Sequence, residues 1–312
     1  MDSKGNQKLL DSIDARTKLA GSNKMEILLF SLGNNEVFGI NVFKVREVSQ
    51  TPQITKTPYM PVGVEGVISL RGNIIPVISL AKFIDVDDIP EDTGQTMIVT
   101  EYSRRTQGFL VHSVDRIIRV DWDKVKPPES MLAGNDSMIT AITELPDGKL
   151  VSILDVEQIL ANAIGEAPVP ELVPMESKTE IVVFFVDESA VARKEIVMVL
   201  DKMGVKHQQA NNGLEGWEKL QGFANRAHQD GFDLHDQIKL ILVDAEMPEM
   251  DGYVLTKHIK SDRRFDNIPV VMHSSLSSEA NKAMGKAVGV DAYVGKFDPI
   301  ALSETLRPYL MR

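Results

Sequence analysis

A proline-rich stretch, EAPVPELVPMESK at residues 166–178, separates two halves of the chain in which apolar residues recur with different periods. Proline favours extended backbone and removes hydrogen-bond donors, so this stretch is interpreted as a semi-rigid linker. The expected organisation is an N-terminal segment (1–23), a first domain (24–165), the linker and a second domain (179–312). Residues 7–20 are interpreted either as a short amphipathic helix or as a frayed tail.

The composition excludes several classes of protein. The net charge of -11 argues against nucleic-acid binding, because contacts with phosphates need a basic surface. The chain contains no cysteine, and therefore no disulfide, thiol nucleophile or cysteine-based zinc site. The sequence has neither a signal-peptide core nor an apolar run long enough to span a membrane. A cytoplasmic protein without direct membrane insertion is expected.

Short apolar runs broken by Gly and Asn turns dominate the first half and predict a β-rich sandwich or barrel. Examples are MEILLFSL at 25–32 and QTMIVTEYS at 95–103. Two short helices are expected among the strands, over Asn41–Val48 and Ile78–Ile84. A closing helix is expected over Asp155–Ala163.

In the second half, apolar runs alternate with stretches whose apolar residues recur at helical spacing. Five runs predict strands: IVVFFV, VKHQQA, IKLILV, IPVVM and DAYVG. Because strands that alternate with helices form a parallel sheet covered on both faces, a doubly wound α/β domain is expected. The pattern predicts a helix over 214–220 and then an unusually long connection over 221–237. His228 and His235 in that connection are interpreted as solvated loop residues rather than metal ligands.

Chemically active side chains follow four of the predicted strands. Asp187 and Glu188 follow the first, Asp244 the third, Ser274 the fourth and Lys296 the fifth. The carboxyl ends of parallel strands share one edge of the sheet, where ligands bind, so these groups are expected to converge. They favour phosphoryl transfer to an aspartate, with Mg2+ bound by the acids. An acid after a strand is also a common turn residue or helix N-cap, but four such positions at one edge favour a site.

The motifs FFVDES, LILVDAEMPEMDG, VVMHSS and AYVGKFDP resemble the receiver domain of two-component response regulators over residues 179–312. The resemblance implies a flavodoxin-like fold and an aspartyl phosphate on Asp244. It also implies Mg2+ ligands, a phosphate contact and a switch pair, namely Asp187, Glu188, Asp244 and the Glu246 carbonyl for Mg2+, Lys296 for phosphate, and Ser274 with Tyr293 for the switch.

Two departures from the receiver pattern bear on this site. Glu188 stands where Asp is usual, and its extra methylene crowds a Mg2+ site that needs near-octahedral geometry. Lys296 is followed by Phe297 rather than by the usual proline, whose preceding peptide bond is commonly cis in the family. A cis bond before a residue other than proline costs about 3–4 kcal/mol, so a trans bond and a slightly shifted lysine are predicted.

Residues 24–165 contain no catalytic set, but FGINVFKVREV and GVISLRGNIIPVISL resemble the chemotaxis coupling proteins of the CheW family. The resemblance implies two small five-stranded β-barrels that bridge chemoreceptors, the methyl-accepting chemotaxis proteins, to the histidine kinase CheA. Arg71 falls where the family has a functionally important arginine, and a structural salt bridge or cap is the alternative. Val42 and Val45 are interpreted either as lining a receptor-binding groove or as core residues.

A CheW-like domain joined to a receiver is the arrangement of CheV coupling proteins. The leading hypothesis is therefore a chemotaxis adaptor, not an enzyme, whose coupling is modulated by phosphorylation of Asp244 during adaptation. The alternative is a phosphate sink that drains phosphoryl groups from the kinase. A third reading, a phosphatase with Asp244 as nucleophile and Glu246 as acid, is less favoured because no cap domain is evident.

Overall fold

The computed structural model describes residues 24–84, 86, 90, 93–102, 105–126, 138–165, 169–175, 181–275 and 279–311. The described residues divide into two compact units, with the boundary between Glu166 and Ala167. The expected helix over 7–20 lies outside the described residues. No helix among those described is long and apolar enough to cross a membrane.

The first unit consists of two five-stranded sheets, which confirms the expected all-β architecture. One sheet has the order β8-β1-β2-β10-β9 and the other the order β3-β6-β7-β5-β4. Neighbours are antiparallel except for the pairs β2–β10 and β5–β7. The strands are β1 (Lys24–Ser31), β2 (Val37–Asn41), β3 (Val45–Gln50), β4 (Val64–Leu70), β5 (Asn73–Ser79), β6 (Thr96–Tyr102), β7 (Arg105–Val111), β8 (Ser113–Asp121), β9 (Ile139–Glu144) and β10 (Leu150–Leu154).

Strand β1 is apolar on both faces because it separates two cores. Successive side chains of a strand point to opposite faces. Leu28 and Phe30 accordingly lie in one cluster of buried side chains, whereas Ile27 and Leu29 lie in another. The sequence of a strand that is buried on both faces is a nearly continuous apolar run, as in MEILLFSL.

The helices of this unit are short. Helix α1 is Leu80–Phe83 and helix α2 is Val156–Ile164, close to the two positions expected. The helix predicted over Asn41–Val48 is wrong: Val42–Lys44 forms one 3-10 turn, and β3 begins directly after it. The β-branched valines of this segment suit a strand, and β3 pairs with β6 along its length.

The second unit is a five-stranded parallel sheet in the order β12-β11-β13-β14-β15, which confirms the doubly wound, flavodoxin-like fold. Helices connect successive strands. The elements are β11 (Val182–Val186), α3 (Ala190–Lys202), β12 (Lys206–Ala210), α4 (Gly213–Asp230), β13 (Leu240–Asp244), α5 (Gly252–Ser261), β14 (Val270–Ser274), α6 (Glu279–Ala287), β15 (Ala292–Gly295) and α7 (Pro299–Leu310).

Helix α4 is longer than the sequence pattern predicts, and the long loop expected over 221–237 is wrong for its first ten positions. Phe223, Ala224 and Ala227 are buried on one side of the extra turns and pack on the core. The helix ends at Asp230, and Gly231, the C-cap, has a φ of 73°, the left-handed conformation typical of that position.

Residues 169–175, termed the strap below, pack against the second unit. Val169 is 8% exposed and belongs to the same apolar cluster as Leu200 and Leu306 of helices α3 and α7. Lys202 Nζ donates hydrogen bonds to the carbonyl oxygens of Val169 and Pro170, at 3.0 and 3.2 Å. The N-terminal half of the strap is therefore held by both packing and hydrogen bonds.

The C-terminal half of the strap is held in the same way. Met175 N donates to Met203 O at 2.8 Å, and the Arg307 guanidinium donates to the carbonyl oxygen of Val173. The described part of the proline-rich stretch thus lies on the second unit rather than acting as a free spacer. The linker bounds of 166 and 178 stay a prediction.

Candidate functional site

Four buried polar side chains meet at the carboxyl edge of the parallel sheet. Asp187 directly follows β11, Asp244 ends β13, Ser274 ends β14 and Lys296 directly follows β15. Their exposed fractions are 0%, 2%, 1% and 8%. Buried charged groups are found in folded proteins only when they are paired, so the contacts among them decide what this edge can do.

Lys296 bridges the two aspartates. Its Nζ lies 2.9 Å from Asp187 Oδ1 and 2.8 Å from Asp244 Oδ2. One ammonium therefore neutralises part of the charge of two carboxylates that come from different strands. This pairing with Lys296 allows the two acids to lie side by side in a buried site.

The two carboxyl groups have opposite pKa shifts. Burial alone would raise the pKa of Asp187, but the charges and hydrogen bonds of Lys296 and His273 lower it to about 2. Burial raises the pKa of Asp244 well above its usual range, and the charges of Asp187 and Glu188 raise it further against the opposing effect of Lys296. Asp187 is thus the fixed anion, whereas Asp244 is the carboxyl group whose charge is least stabilised.

The backbone around Asp244 is shaped by Gly252, the first residue of α5. A Cβ atom at this position would lie 1.9 Å from the backbone oxygen of Asp244, so only glycine permits the approach. Gly252 N donates to Ala245 O at 3.0 Å, and Asp251 caps the helix by accepting from Val254 N at 2.8 Å. Helix α5 therefore begins in direct contact with the residue that ends β13.

The remaining acids expected at the site lie near it. Glu188 is half-buried and acts on Asp244 through its charge. Glu246 is 6% exposed, and its backbone N–H donates to Asp244 Oδ1 at 3.3 Å. Arg193 of α3 fixes the backbone beneath these acids by donating to the carbonyl oxygens of Asp187 and Glu188, at 2.9 and 2.8 Å.

No group of three or more His, Cys, Asp or Glu side chains within the described part of the chain is placed to hold a metal ion by itself. Among the described residues, His228 and His235 therefore belong to no such group. His228 is exposed on α4, and Nε2 of His235 lies 2.9 Å from Asp266 O. The site nevertheless suits Mg2+ chemically. Mg2+ takes one or two carboxylates and keeps several waters, and the buried carboxylates of Asp187 and Asp244, drawn together by Lys296, are oxygen donors of this kind.

Ser274 and Tyr293, the expected switch pair, are in contact. Their side chains interact, and burial raises the pKa of Tyr293 to about 12. Tyr253, which the sequence pattern did not single out, faces Tyr293 from the first turn of α5. The only sequence signal for it is a tyrosine directly after the glycine that ends the MPEMDG motif.

His273 is a second site residue that sequence reasoning did not assign a role. It is 1% exposed, and its Nδ1 lies 3.7 Å from Asp187 Oδ2. A polar ring within the apolar run VVMHSS was the available signal, because buried strands of parallel sheets are otherwise continuously apolar.

Phe297 follows Lys296 through a trans peptide bond, as predicted, since the described chain contains no cis bond. Its φ of 63° lies in the left-handed region, which is strained for a non-glycine residue. Proline, whose ring fixes φ near -65°, cannot adopt this conformation. The backbone after Lys296 is therefore incompatible with the Lys-Pro pair that is usual in receivers.

The three residues singled out in the first unit lie in different environments. Arg71 occupies the turn between β4 and β5 with a φ of 50°, and its side chain is 69% exposed and paired with Glu47. Val42 and Val45 are 2% and 3% exposed and lie in the core. Of the two interpretations of these valines, core packing is the one that their burial favours.

Comparisons with known proteins agree with this division of the chain. The family model described as CheW-like domain matches residues 26–163, and the model described as response regulator receiver domain matches residues 183–307. The chemotaxis protein CheV3 of Helicobacter pylori is 34% identical to this chain over 278 residues, which cover 88% of either protein. The chain belongs to the CheV family of chemotaxis proteins.

A second CheV relative and a solved structure are also similar to this CheV-family chain. CheV1 of Helicobacter pylori is 29% identical over 96% of this chain and 98% of its own length. The crystal structure of the scaffolding protein TtCheW from Thermoanaerobacter tengcongensis has 30% identity, covers 46% of this chain and 90% of that chain, and gives a TM-score of 0.40. The CheV assignment confirms the family expected from the sequence motifs.

Proposed function

We propose that this protein is an adaptor that couples chemoreceptors to the histidine kinase CheA, and that phosphorylation of Asp244 modulates the coupling during adaptation. The observation that carries the proposal is the Lys296 bridge between Asp187 and Asp244, in a chain that also contains a CheW-like unit. A receiver site that contains this lysine supports an adaptor regulated by phosphorylation rather than a passive scaffold.

Asp244 is the proposed phosphoryl acceptor. A carboxylate oxygen of Asp244 forms a bond to phosphorus as the bond between phosphorus and the leaving group breaks. Lys296, 2.8 Å from Asp244 Oδ2, is placed to neutralise charge on the phosphoryl oxygens. Asp187, whose pKa is held at about 2, stays ionised throughout and keeps the lysine oriented.

The residues that would hold Mg2+ are the side chains of Asp187, Glu188 and Asp244 together with the Glu246 carbonyl. When bound, the ion supplies electrostatic stabilisation of the phosphoryl oxygens. Glu188, in place of the usual aspartate, is expected to weaken this site because its carboxylate extends one methylene further.

The proposed switch is a change of population between two states. A phosphoryl group on Asp244 draws the Ser274 hydroxyl toward it. Ser274 then loses its contact with Tyr293, and the Tyr293 side chain moves. Both side chains lie on neighbouring strands, β14 and β15, so the change reaches the surface formed by α6, β15 and α7.

The CheW-like unit supplies the partner surface. Arg71 is proposed to contact a partner protein, since its side chain is 69% exposed at a turn even though its guanidinium group pairs with Glu47. The proposed partners are methyl-accepting chemotaxis proteins and CheA, which implies a cytoplasmic location at membrane receptor arrays. The acidic net charge of -11 supports protein partners rather than nucleic acid.

Intact-mass measurement after treatment with acetyl phosphate tests the site, with and without Mg2+. Wild-type protein should gain one phosphoryl group in the presence of Mg2+, and Asp244→Asn should gain none. Asp201→Asn, at an exposed aspartate of α3, is the matched control and should behave as wild type. Absence of an adduct in wild type, with no binding of the phosphoryl mimic beryllium fluoride, would contradict the proposal.

The functional consequence is tested by co-sedimentation with receptor and CheA before and after beryllium fluoride is added. An adaptor under phosphorylation control changes its bound fraction between the two states. An unchanged bound fraction together with rapid loss of phosphate would instead favour the phosphate sink.

A further inference from the structure

Tyr253 has a buried hydroxyl group that the structure leaves unsatisfied. We propose that Tyr253 is a third member of the switch, and that its hydroxyl is the hydrogen-bond partner that Tyr293 takes when Ser274 turns toward Asp244. This inference rests on the proposed phosphorylation of Asp244. It assigns a positioning role to a residue outside the expected switch pair.

The first support is the state of the hydroxyl itself. Tyr253 is 3% exposed, and its Oη has no hydrogen-bond partner among the described residues. A buried polar group without a partner destabilises the state that contains it, and such groups are rare in folded proteins. An arrangement in which the Tyr253 hydroxyl forms a hydrogen bond is therefore stabilised, relative to the present one, by the free energy of that bond.

The second support is the position of the ring. Tyr253 follows Gly252, whose backbone is pressed against the Asp244 oxygen, so the start of α5 is fixed relative to the phosphoryl acceptor. The Tyr253 and Tyr293 hydroxyls lie close enough for each to affect the pKa of the other, but Tyr253 Oη does not form a hydrogen bond of standard geometry with a described residue. Tyr293 in turn contacts Ser274, which gives the order Ser274, Tyr293, Tyr253 along one line of hydroxyl groups.

The exchange of partners follows from this order. While Ser274 contacts Tyr293, the Tyr253 hydroxyl lies near Tyr293 without a hydrogen bond of standard geometry to it. When Ser274 turns toward a phosphoryl group, Tyr293 loses that contact and a hydrogen bond between the two tyrosines satisfies both. The unsatisfied hydroxyl thereby biases the equilibrium toward the phosphorylated state.

The same side chain also borders a groove between helices. Tyr253 lines a cavity of about 730 Å3 between α5 and α6, together with Trp217, Met284 and Val288. The Tyr293 ring lies beneath α6, with its Cδ2 atom 3.5 Å from where a Cβ of Gly285 would be. A change of contact between the two tyrosines is therefore expected to alter this groove and the fluorescence of Trp217.

The test is a titration of full-length protein with beryllium fluoride and Mg2+, followed by calorimetry and by tryptophan fluorescence. Four proteins are compared: wild type, Tyr253→Phe, Tyr293→Phe and the double variant. We expect Tyr253→Phe to bind the mimic about threefold to tenfold more weakly, which is the range of one hydrogen bond. Its melting temperature without the mimic should not fall, because the substitution removes a group that has no partner in that state.

The double variant isolates the contact between the two hydroxyls. In the Tyr293→Phe background, Tyr253→Phe should cause no further loss of affinity, since the partner hydroxyl is already absent. Tyr309→Phe is the matched control. Tyr309, on α7, donates a hydrogen bond from its Oη to Asp291 O at 2.9 Å, and removal of this hydroxyl should leave the affinity for beryllium fluoride unchanged.

Three results would overturn the inference. They are an affinity of Tyr253→Phe equal to wild type, additive losses in the double variant, and a melting temperature that falls without loss of affinity, which indicates a purely structural side chain. If folded wild-type protein fails to bind the mimic at all, the proposed function fails first and this inference fails with it.

Discussion

Lys296 Nζ lies within 2.9 Å of a carboxylate oxygen of Asp187 and within 2.8 Å of one of Asp244, and all three side chains are at least nine-tenths buried. The ammonium is the described cation that holds the two acids together. Its contribution to stability and its contribution to chemistry are therefore linked, because removing it leaves uncompensated charge at the centre of the site.

Substitution of Lys296 by Met should lower the free energy of unfolding of the second unit by about 3–5 kcal/mol, the cost of leaving buried partners unpaired. Urea unfolding followed by Trp217 fluorescence measures this loss. Lys219→Met is the control, since that lysine pairs with Glu215 on an exposed helix face and should contribute less than about 1 kcal/mol. Equal effects of the two substitutions would contradict the bridging role of Lys296.

The pH dependence of the first unit should follow Asp155, the N-cap of α2. Burial raises its pKa above the ordinary 3.8, with Glu157 adding to the shift and Lys44 opposing it. Because the folded state favours the protonated carboxyl, this contribution to stability is complete below about pH 3.8 and is lost as pH rises through the raised pKa. Asp155→Asn should therefore gain stability relative to wild type between pH 4 and pH 7.

That variant keeps the cap, because an amide oxygen can still accept from Glu157 N and Gln158 N. Unfolding followed by Trp122 fluorescence, in a Trp217→Phe background, provides the readout. Asp147→Asn, at an exposed turn, should show no such gain. A constant difference between Asp155→Asn and wild type at the two pH values would show that burial of Asp155 has no net effect.

The strap should behave as part of the second unit's core. Val169→Ala removes two methyl groups from a side chain that is 8% exposed and should cost about 1–3 kcal/mol of the unit's stability. Val173→Ala is a matched substitution in the same segment, at a side chain that is 72% exposed, and should change stability by less than about 0.5 kcal/mol. Thermal unfolding of both variants decides the point, and equal small effects would mean that the strap is detached in solution.

The backbone conformation at Phe297 predicts the effect of placing a proline at this position. Phe297→Pro should destabilise the second unit by about 3 kcal/mol or more, because the observed φ of 63° is closed to the proline ring. Phe297→Asn should retain both stability and phosphorylation, since Asn tolerates left-handed backbone. A stable and fully reactive Phe297→Pro protein would show that the segment can adopt another conformation.

Arg71 should matter for partners and little for folding. Arg71→Ala breaks a pair whose arginine is 69% exposed and should cost less than about 1 kcal/mol, yet it should reduce co-sedimentation with CheA and receptor. Arg46→Ala, which breaks the exposed pair with Glu101, is the control for loss of a surface charge. If both variants bind as well as wild type, Arg71 is only a structural turn residue.

The order of elements in the second unit could be predicted because strand and helix periods alternate cleanly there. The edge where Asp187, Asp244 and Lys296 meet follows from the rule for parallel strands rather than from any local pattern. The individual contacts could not be predicted in this way. Neither the partner of Lys296 nor the position of His273 beside Asp187 is encoded within a short stretch of sequence.

The errors have identifiable physical causes. Val42, Val45 and Val48 recur every third residue, which imitates helical spacing, but pairing of β3 with β6 prevails. The extra turns of α4 are anchored by one aromatic residue and small alanines within a polar stretch, so their periodicity is weak. Docking of the strap depends on Lys202 and Arg307, which are far away in sequence.

The strap also sets an order of events during synthesis. Val173, the acceptor in one of its anchoring hydrogen bonds, and Arg307, the donor in that bond, are 134 residues apart. At roughly 5–20 residues per second, about 7 to 27 s pass between the two on the ribosome. The first unit, whose last helix ends at Ile164, is already synthesised when that interval begins, whereas the strap has to wait for α7 before it can dock. The coupling half of the protein is thus free to fold before the receiver half can close over its own leading segment.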